Sequence, residues 1–225
     1  MSSDAAAHLR FVRTAPEGIT TGTPQPRLGV LGGAFNPVTR AHLSLAEQAR
    51  TQFELTEVLF VLPERLPHRQ PDEASLEDRM AMLGLALTPW PYFSLAVCTQ
   101  GLFIDIARAL VPHYPHGTRL FFLLGADAAD RILLWDYPNR EATLAEMFAR
   151  FDLVIAQRAE ELAWSKDPLL DRFQNRLHGL EMPRNYQTLS STAVRAAVRR
   201  GDPIDASVPP GVADYIRNHA LYQSS

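Results

Sequence analysis

Short apolar runs alternate along the chain with segments in which apolar residues recur every three or four positions. Runs without polar alternation are typical of strands that helices cover on both faces, as in a parallel sheet. The pattern therefore predicts an α/β fold with a mostly parallel sheet. The predicted strands span Leu28–Leu31, Val58–Leu62, Tyr92–Val97, Arg119–Leu124 and Asp152–Ala156.

Helical spacing and capping signals predict the elements between and after these strands. Ser75–Asp78 has the form of a capping box, and the Ser-Ser-Thr sequence at 190–192 places three hydroxyls before an Ala- and Val-rich run. Gly201 follows that run and ends its helix. The predicted helices span Ala41–Phe53, Ser75–Leu87, Ile104–Leu110, Leu189–Arg200 and Pro209–Leu221, of which the last two form a small C-terminal helical segment.

The start of the chain has a different composition from the rest. Residues 1–26 are predicted as an N-terminal arm, either mobile or folded as a surface hairpin, because Gly, Thr and Pro are frequent after Pro16. Residues 27–225 are predicted as a single domain, since their number suits one α/β unit. Within it, the polar stretch Glu160–His178 is predicted as a loop and a helix at an edge of the sheet.

Charge and cysteine content narrow the classes of partner. The net charge is −3, which argues against nucleic-acid binding by bulk electrostatics. Cys98 is the only cysteine, which excludes an intramolecular disulfide and indicates a reducing compartment such as the cytoplasm. No apolar run approaches about 18 residues, the length of a membrane span, so no membrane partner is expected.

Glycines directly follow the first predicted strand of the sheet. Gly32, Gly33, Ala34 and Phe35 form a turn whose backbone N–H groups can approach an anion, and the helix after the turn adds the positive end of its dipole. The spacing is neither that of a P-loop nor that of a dinucleotide-binding motif. An ordinary structural turn is the alternative, so this turn alone does not decide between them.

Two polar side chains stand at the start of the next predicted helix. Thr39 and His42 are three positions apart and therefore share one face of the first turn, which points toward the same anion. A hydroxyl and an imidazole there could stabilise charge at phosphorus. The alternative is a capping threonine beside a surface histidine.

Two further groups are predicted at the same edge of the sheet. Ser190, Ser191 and Thr192 begin a helix that carries Arg195 one turn on, and together they form a second anion site. Gly125 and Asp127 follow a buried strand, where a carboxylate suits sugar hydroxyls. Two phosphate sites and a sugar-binding acid together fit a nucleoside triphosphate better than a simple metabolite.

These residues resemble the nucleotidyltransferase superfamily with the (H/T)xGH signature, and more narrowly the bacterial nicotinate-nucleotide adenylyltransferases. GGAFNPVTRAH resembles the family's GGxFxPxHxGH element, LSSTAVR resembles ISSTxIR, and LLGADAADRILLW resembles its GAD…W region. Other landmarks between these motifs match in order. The resemblance extends from about Arg27 to Tyr222.

The resemblance implies a Rossmann-like, doubly wound sheet and a defined reaction. AMP would pass from ATP to the phosphate of nicotinate mononucleotide, forming deamido-NAD and pyrophosphate in NAD biosynthesis. Mg²⁺ would be held through the ATP phosphates, with no protein ligand to the metal. ATP and the mononucleotide are then the expected partners, and a homo-oligomer stays open.

The resemblance also assigns roles to residues at matching positions. His42, Thr39 and Arg195 are expected to be catalytic. The acceptor is expected to contact His68, Arg69, Phe103 and Trp135. The nucleotide is expected to contact Gly32, Gly33, Ala34, Phe35, Gly125, Asp127, Arg158, Ser190, Ser191 and Thr192.

Three departures from the family pattern leave other functions open. Thr39 stands where the family usually has His, and Ala41 replaces Gly. Residues 101–106 read GLFIDI instead of a PSYTIDT-like sequence that helps to form the pyridine-nucleotide pocket. One alternative is the same transfer to another acceptor, such as nicotinamide mononucleotide or pantetheine phosphate. The other is a nucleotide-binding protein without activity.

Overall fold

The fold is organised around one seven-stranded sheet. The computed structural model describes residues 7–64, 74–99, 101–157 and 167–223. The strand order is β1-β4-β3-β2-β5-β6-β7, and all neighbouring strands are parallel except β1 and β4. The strands are β1 Leu9–Arg13, β2 Arg27–Gly32, β3 Glu57–Pro63, β4 Phe93–Cys98, β5 Arg119–Gly125, β6 Phe151–Gln157 and β7 Leu177–Glu181.

Helices cover both faces of this sheet. Buried side chains of α1, α2, α7 and α8 form one apolar cluster with the sheet, and those of α3, α4 and α5 form the other. The helices are α1 Arg40–Gln52, α2 Leu76–Leu87, α3 Phe103–Leu110, α4 Ala126–Leu133, α5 Arg140–Arg150, α6 Arg184–Gln187, α7 Ser191–Arg200 and α8 Pro210–Asn218. The structure therefore confirms the doubly wound α/β fold. Among the described residues, no helix has the length and apolar character needed to cross a bilayer.

The elements with strong local signals lie where the sequence predicts them. The five predicted strands are β2 to β6, and the five predicted helices are α1, α2, α3, α7 and α8. The capping box of α2 is present, because the Asp78 N–H donates to Ser75 Oγ at 3.0 Å and the Ser75 N–H donates to Asp78 Oδ2 at 3.1 Å. Gly201 ends α7 in the left-handed conformation, with a φ of 75°.

The elements without such signals were not predicted. A loop and a helix are expected over Glu160–His178, and the described part of this stretch contains a 3-10 helix over Leu170–Arg176. The edge strand β7, which follows it directly, was not predicted. Of the residues in β7, only Leu180 is buried, so pairing with β6 outweighs a polar sequence. In the predicted N-terminal arm, β1 pairs with β4. Helices α4 and α5 were also missed.

A buried carboxylate fastens the residues after β1 to the sheet. Glu57, at the start of β3, is 4% exposed and accepts from Ser94 Oγ at 2.5 Å and from Tyr114 Oη at 2.8 Å. Its other oxygen accepts from the Ile19 N–H at 2.9 Å. Gly18 allows this approach, because a Cβ there would lie 2.6 Å from Glu57 Oε2. Three donors therefore satisfy one buried charge.

We expect Glu57→Ala to lower the free energy of unfolding by about 3 kcal/mol, because it leaves three donors without their charged acceptor. Urea unfolding should show a lower midpoint at an unchanged m-value. Glu17→Ala is the control, since Glu17 is exposed in the same segment, and it should change stability by less than about 0.5 kcal/mol. Equal effects of the two substitutions would contradict the assigned role.

Candidate functional site

The candidate site lies where the direction of strand progression reverses. From β2 the chain moves to β3 and β4 on one side, whereas β5, β6 and β7 lie on the other. In open α/β sheets, ligands bind outside the carboxyl ends of the strands at this switch point. Gly32 ends β2 and Gly125 ends β5, and these two strands are parallel neighbours in the sheet. The structure thus brings the two predicted glycine turns to one edge.

Residues 33–38, called here the nucleotide turn, connect β2 to α1. Phe35 is buried in a left-handed conformation with a φ of 45°, and its ring packs beside the Gly33 backbone. A Cβ at Gly33 would lie only 3.2 Å from that ring, which explains the need for glycine there. Local packing therefore gives the turn a single defined shape.

Side chains from distant helices bind three carbonyl oxygens of the nucleotide turn. Arg79 Nη1 of α2 donates to the Ala34 oxygen at 3.1 Å. In α7, Arg195 Nη1 donates to the Asn36 oxygen at 2.8 Å, and Ser191 Oγ donates to the Pro37 oxygen at 2.8 Å. These contacts orient the peptide groups of the turn.

The Gly33 N–H of the same turn donates to the Val61 oxygen at 3.2 Å, whereas the turn's other N–H groups have no acceptor among the described residues. Within the described ranges, no group accepts a hydrogen bond from the backbone N–H of Ala34, Phe35, Asn36 or Val38. The C=O and N–H of a trans peptide point in opposite directions, so binding of the Ala34 oxygen to Arg79 turns the Phe35 N–H away from that helix. The turn therefore offers donors to an anion at the carboxyl edge of the sheet.

Thr39 and His42 are held together at the start of α1. His42 Nδ1 accepts from the Thr39 N–H at 3.0 Å and lies 2.9 Å from Thr39 Oγ1. Because Nδ1 is an acceptor, the ring proton is on Nε2, which is then a donor. Phe35 packs edge-on against the imidazole, with ring centroids 5.1 Å apart. Desolvation lowers the pKa of His42 to about 4, so the ring is neutral at pH 7.

Thr39 is enclosed beside His42. The residue has no exposed surface, and its hydroxyl faces His42. Thr39 stands at the N-cap of α1 and orients the imidazole. The expected contact between Thr39 and the ATP phosphates stays a prediction.

The start of α7 forms the opposite wall of the turn. Ser190 caps the helix by accepting from the Ala193 N–H at 3.1 Å, and both Ser190 and Thr192 are exposed. Arg195 Nη2 lies 3.5 Å from Thr192 Oγ1. Hydroxyls, helix N–H groups and a guanidinium therefore adjoin the turn, a combination that favours negative charge.

The other predicted residues belong to the elements that follow β4 and β5. Gly125 caps α4, and Asp127 is exposed in its first turn. Phe103 begins α3, where its ring stacks on Phe122 at a centroid distance of 4.8 Å. Trp135 follows α4 and is 45% exposed. The predicted residues His68, Arg69 and Arg158 are outside the described residues.

Four residues that shape the site were not predicted. Arg79 is 2% exposed in the apolar stripe of α2. A charged residue at a helix position where the pattern expects an apolar one was the signal that could have identified it. Arg40 binds the backbone before α8, donating from Nε to the Val208 oxygen at 3.1 Å. Asn36 and Tyr222 bond to each other across the fold at 2.7 Å, which no local pattern indicates.

The donors at the site suit an anion better than a metal ion. In the part of the chain that the structure describes, no three His, Cys, Asp or Glu side chains are grouped to hold a metal. The groups around the nucleotide turn are N–H, hydroxyl, imidazole and guanidinium donors. A cation beside them would be held by the oxygens of the bound anion and by water.

Known proteins share both the sequence and the fold of this chain. The cytidylyltransferase-like family model matches residues 30–197. A probable nicotinate-nucleotide adenylyltransferase of Synechococcus sp. (strain JA-2-3B'a(2-13)) is 34% identical over 204 residues, covering 87% of this chain and 96% of the relative. One from Clavibacter sepedonicus is 34% identical over 210 residues, covering 91% and 98%. The chain belongs to the nicotinate-nucleotide adenylyltransferase family.

Membership in this family makes the protein a nucleotidyltransferase. A solved structure of Plasmodium falciparum nicotinic acid mononucleotide adenylyltransferase, complexed with NaAD, matches the fold with a TM-score of 0.64. The two sequences are 18% identical, and the match covers 88% of this chain and 97% of the other. The same Plasmodium enzyme complexed with APC also has a TM-score of 0.64, at 17% identity. These matches confirm the Rossmann-like fold.

The neutral state of His42 predicts how stability depends on pH. The pKa of His42 is about 4 in the folded protein and about 6.5 in an unfolded chain, so between these values the unfolded state binds more protons. The contribution of His42 to stability is therefore present above pH 6.5 and lost as the pH falls to 4. Relative to His42→Gln, we expect the wild type to lose about 1–2 kcal/mol over this range.

Denaturant unfolding at a series of pH values measures this difference. His116→Gln is the reference, because His116 is an exposed histidine outside the site. A wild-type-minus-variant difference for His42→Gln that stays constant from pH 7 to pH 4 would contradict a neutral, desolvated imidazole.

Proposed function

We propose that the protein transfers AMP from ATP to the phosphate of nicotinate mononucleotide, forming deamido-NAD and releasing pyrophosphate, a step of NAD biosynthesis. The observation that carries the proposal is the nucleotide turn, of which side chains bind three carbonyl oxygens, while four of its N–H groups have no acceptor among the described residues. The names of the relatives support the same reaction. We further propose that residues 27–225 act as one catalytic domain.

The chemistry requires positioning more than proton transfer. An oxygen of the acceptor phosphate forms a bond to the α-phosphorus of ATP, and the bond from that phosphorus to the bridging oxygen of the leaving pyrophosphate breaks. The acceptor phosphate is already ionised at pH 7, so no general base is required. The protein must align two anions and stabilise the charge that develops between them.

The donors around the nucleotide turn are assigned to the ATP phosphates. The N–H groups of residues 34–36 bind oxygens directly, and His42 donates from Nε2 to an oxygen at the reacting phosphorus. Arg195, Ser190 and Thr192 face the triphosphate from α7, while Ser191 fixes the turn. Because the His42 ring is neutral, it adds a hydrogen bond without adding a fixed charge.

The acceptor is assigned to the neighbouring strand end and its flanking helices. Asp127, beside Gly125, suits the ribose hydroxyls. Phe103 and Trp135 offer aromatic surface to the pyridine ring. His68 and Arg69 would add positive charge near the phosphates, and Arg158 would contact the nucleotide.

Mg²⁺ held through the ATP phosphates is the proposed metal. When bound, it supplies partial neutralisation of the triphosphate charge. This chain contributes the donors described above, and no protein ligand to the metal is assigned. We place the enzyme in the cytoplasm, where ATP is available, and leave a homo-oligomer as an open arrangement.

The segment around Phe103 supports a second candidate acceptor. Residues 101–106 depart from the family pattern, and Phe103 directs its ring toward Phe122, close to Gly32. A pocket wall that is apolar here would discriminate less between nicotinate and nicotinamide mononucleotides. The nicotinate form is still favoured, because the curated relatives carry that name.

An acceptor panel tests the substrate assignment. With ATP and Mg²⁺, we expect pyrophosphate release to be fastest with nicotinate mononucleotide. All candidate acceptors share the phosphate, so a difference in rate reports the contacts that the protein makes with the rest of the acceptor. Nicotinamide mononucleotide and pantetheine phosphate are the comparisons. Faster pyrophosphate release with either of these two compounds would make that compound the assigned acceptor. ATP binding without release on any acceptor would indicate a nucleotide-binding protein without activity.

We expect His42→Ala to lower turnover by roughly 10²–10³, the effect of losing one preorganised donor in a transition state. Steady-state kinetics with saturating ATP and acceptor measure this change. His116→Ala, an exposed histidine outside the site, should keep wild-type turnover. Turnover of His42→Ala within threefold of the wild type would contradict the assigned role of His42.

A further inference from the structure

Tyr222, beyond the end of α8, reaches the nucleotide turn from a distant part of the chain. Its side chain is 3% exposed, and its hydroxyl donates to Asn36 Oδ1 at 2.7 Å. Burial raises the pKa of Tyr222 above the range in which the enzyme works, so the phenol stays protonated and remains a donor. Asn36 is itself 6% exposed, so water does not replace this hydrogen bond easily.

The backbone that delivers Tyr222 is held in an uncommon conformation. Ala220 and Tyr222 have φ values of 49° and 65°, in the left-handed region that side chains other than glycine adopt at a cost. Such a conformation persists only where the surrounding contacts determine it, and it is concentrated at functional sites. Here the contact that it secures is the one between the Tyr222 hydroxyl and Asn36.

Asn36 is the residue at which two supports of the turn meet. Its backbone oxygen accepts from Arg195, and its side-chain oxygen accepts from Tyr222. The positive charges of Arg195 and Arg79 both act on the Tyr222 phenol, which places Tyr222 in the electrostatic surroundings of the phosphate site. A rotation of Asn36 would change the peptide groups on either side of it, including the one that carries the Asn36 N–H, a donor assigned to the anion.

We propose that Tyr222 is a positioning residue for ATP, because its hydroxyl fixes Asn36 and thereby the shape of the nucleotide turn. The proposal rests on the proposed function, since it assumes that the turn binds the ATP phosphates. Tyr222 does not touch the reacting atoms in this assignment. It acts through Asn36, and the acceptor side of the site does not depend on it.

Tyr222→Phe tests the proposal because it removes only the hydroxyl and keeps the buried ring. We expect the Kd for Mg·ATP, measured by calorimetry without an acceptor, to rise about tenfold, the scale of one lost hydrogen bond. In steady-state assays the KM for ATP should rise similarly, while the KM for the acceptor stays within twofold. Combining Tyr222→Phe with Asn36→Ala should weaken ATP binding no further than Asn36→Ala alone.

Tyr114→Phe is the matched control for an effect on stability. It also removes a hydroxyl that donates a hydrogen bond to a buried acceptor, here Glu57 at the start of β3, at the opposite edge of the sheet from the nucleotide turn. It should lower stability and leave the Kd for ATP unchanged. Equal weakening of ATP binding by the two variants would reduce Tyr222 to a stability role and overturn the proposal.

The remaining outcomes separate this proposal from the proposed function. If the wild type and Tyr222→Phe bind ATP with the same Kd, only the role of Tyr222 is overturned, and the reaction assignment stands. A wild type that does not bind ATP overturns the proposed function and, with it, the role of Tyr222. Weaker ATP binding by Tyr222→Phe than by Tyr114→Phe, with an unchanged KM for the acceptor, supports the proposal.

Discussion

The site depends on the binding of backbone carbonyl oxygens by side chains. A peptide group presents an acceptor on one side and a donor on the other, so a protein that holds the oxygen also decides where the N–H points. Arg79 and Ser191 hold two such oxygens after β2, those of Ala34 and Pro37, and so direct the N–H groups of Phe35 and Val38. Arg195 binds the oxygen of Asn36, whose peptide bond to Pro37 carries no N–H. Burial of Arg79 has a desolvation cost, which lowers the pKa of its guanidinium, but the group remains charged and adds positive potential near the nucleotide turn.

The sheet positions the site, and the turn and helices at its edge supply the hydrogen-bond donors. Because β2 and β5 are parallel neighbours, their carboxyl ends open into one crevice, with α1 and α4 beginning beside it. Both helices direct their positive ends toward the crevice. The neutral ring of His42 adds a hydrogen-bond donor to this arrangement without adding a full charge.

Local signals explain which parts of the structure the sequence could predict. The turn at Gly32 and the capping hydroxyls before α7 are short-range features, and their chemistry can be interpreted from neighbouring residues. The edge strand β7 follows from pairing with β6, and the burial of Thr39 follows from packing around Phe35, so neither has a local signature. Arg79 and Tyr222 contact the turn from distant positions in the sequence, so no local pattern indicates their contacts, and only the structure shows them.

The supports of the nucleotide turn have a consequence for how the protein acquires activity. The turn is 45 residues from Arg79, 154 or more from the α7 donors and 186 from Tyr222. Contacts at such separations require the closure of long loops, which costs conformational entropy. A chain that contains the glycine motif but lacks these distant contacts has a turn without its supports. The shape of the turn therefore depends on the folding of the whole domain.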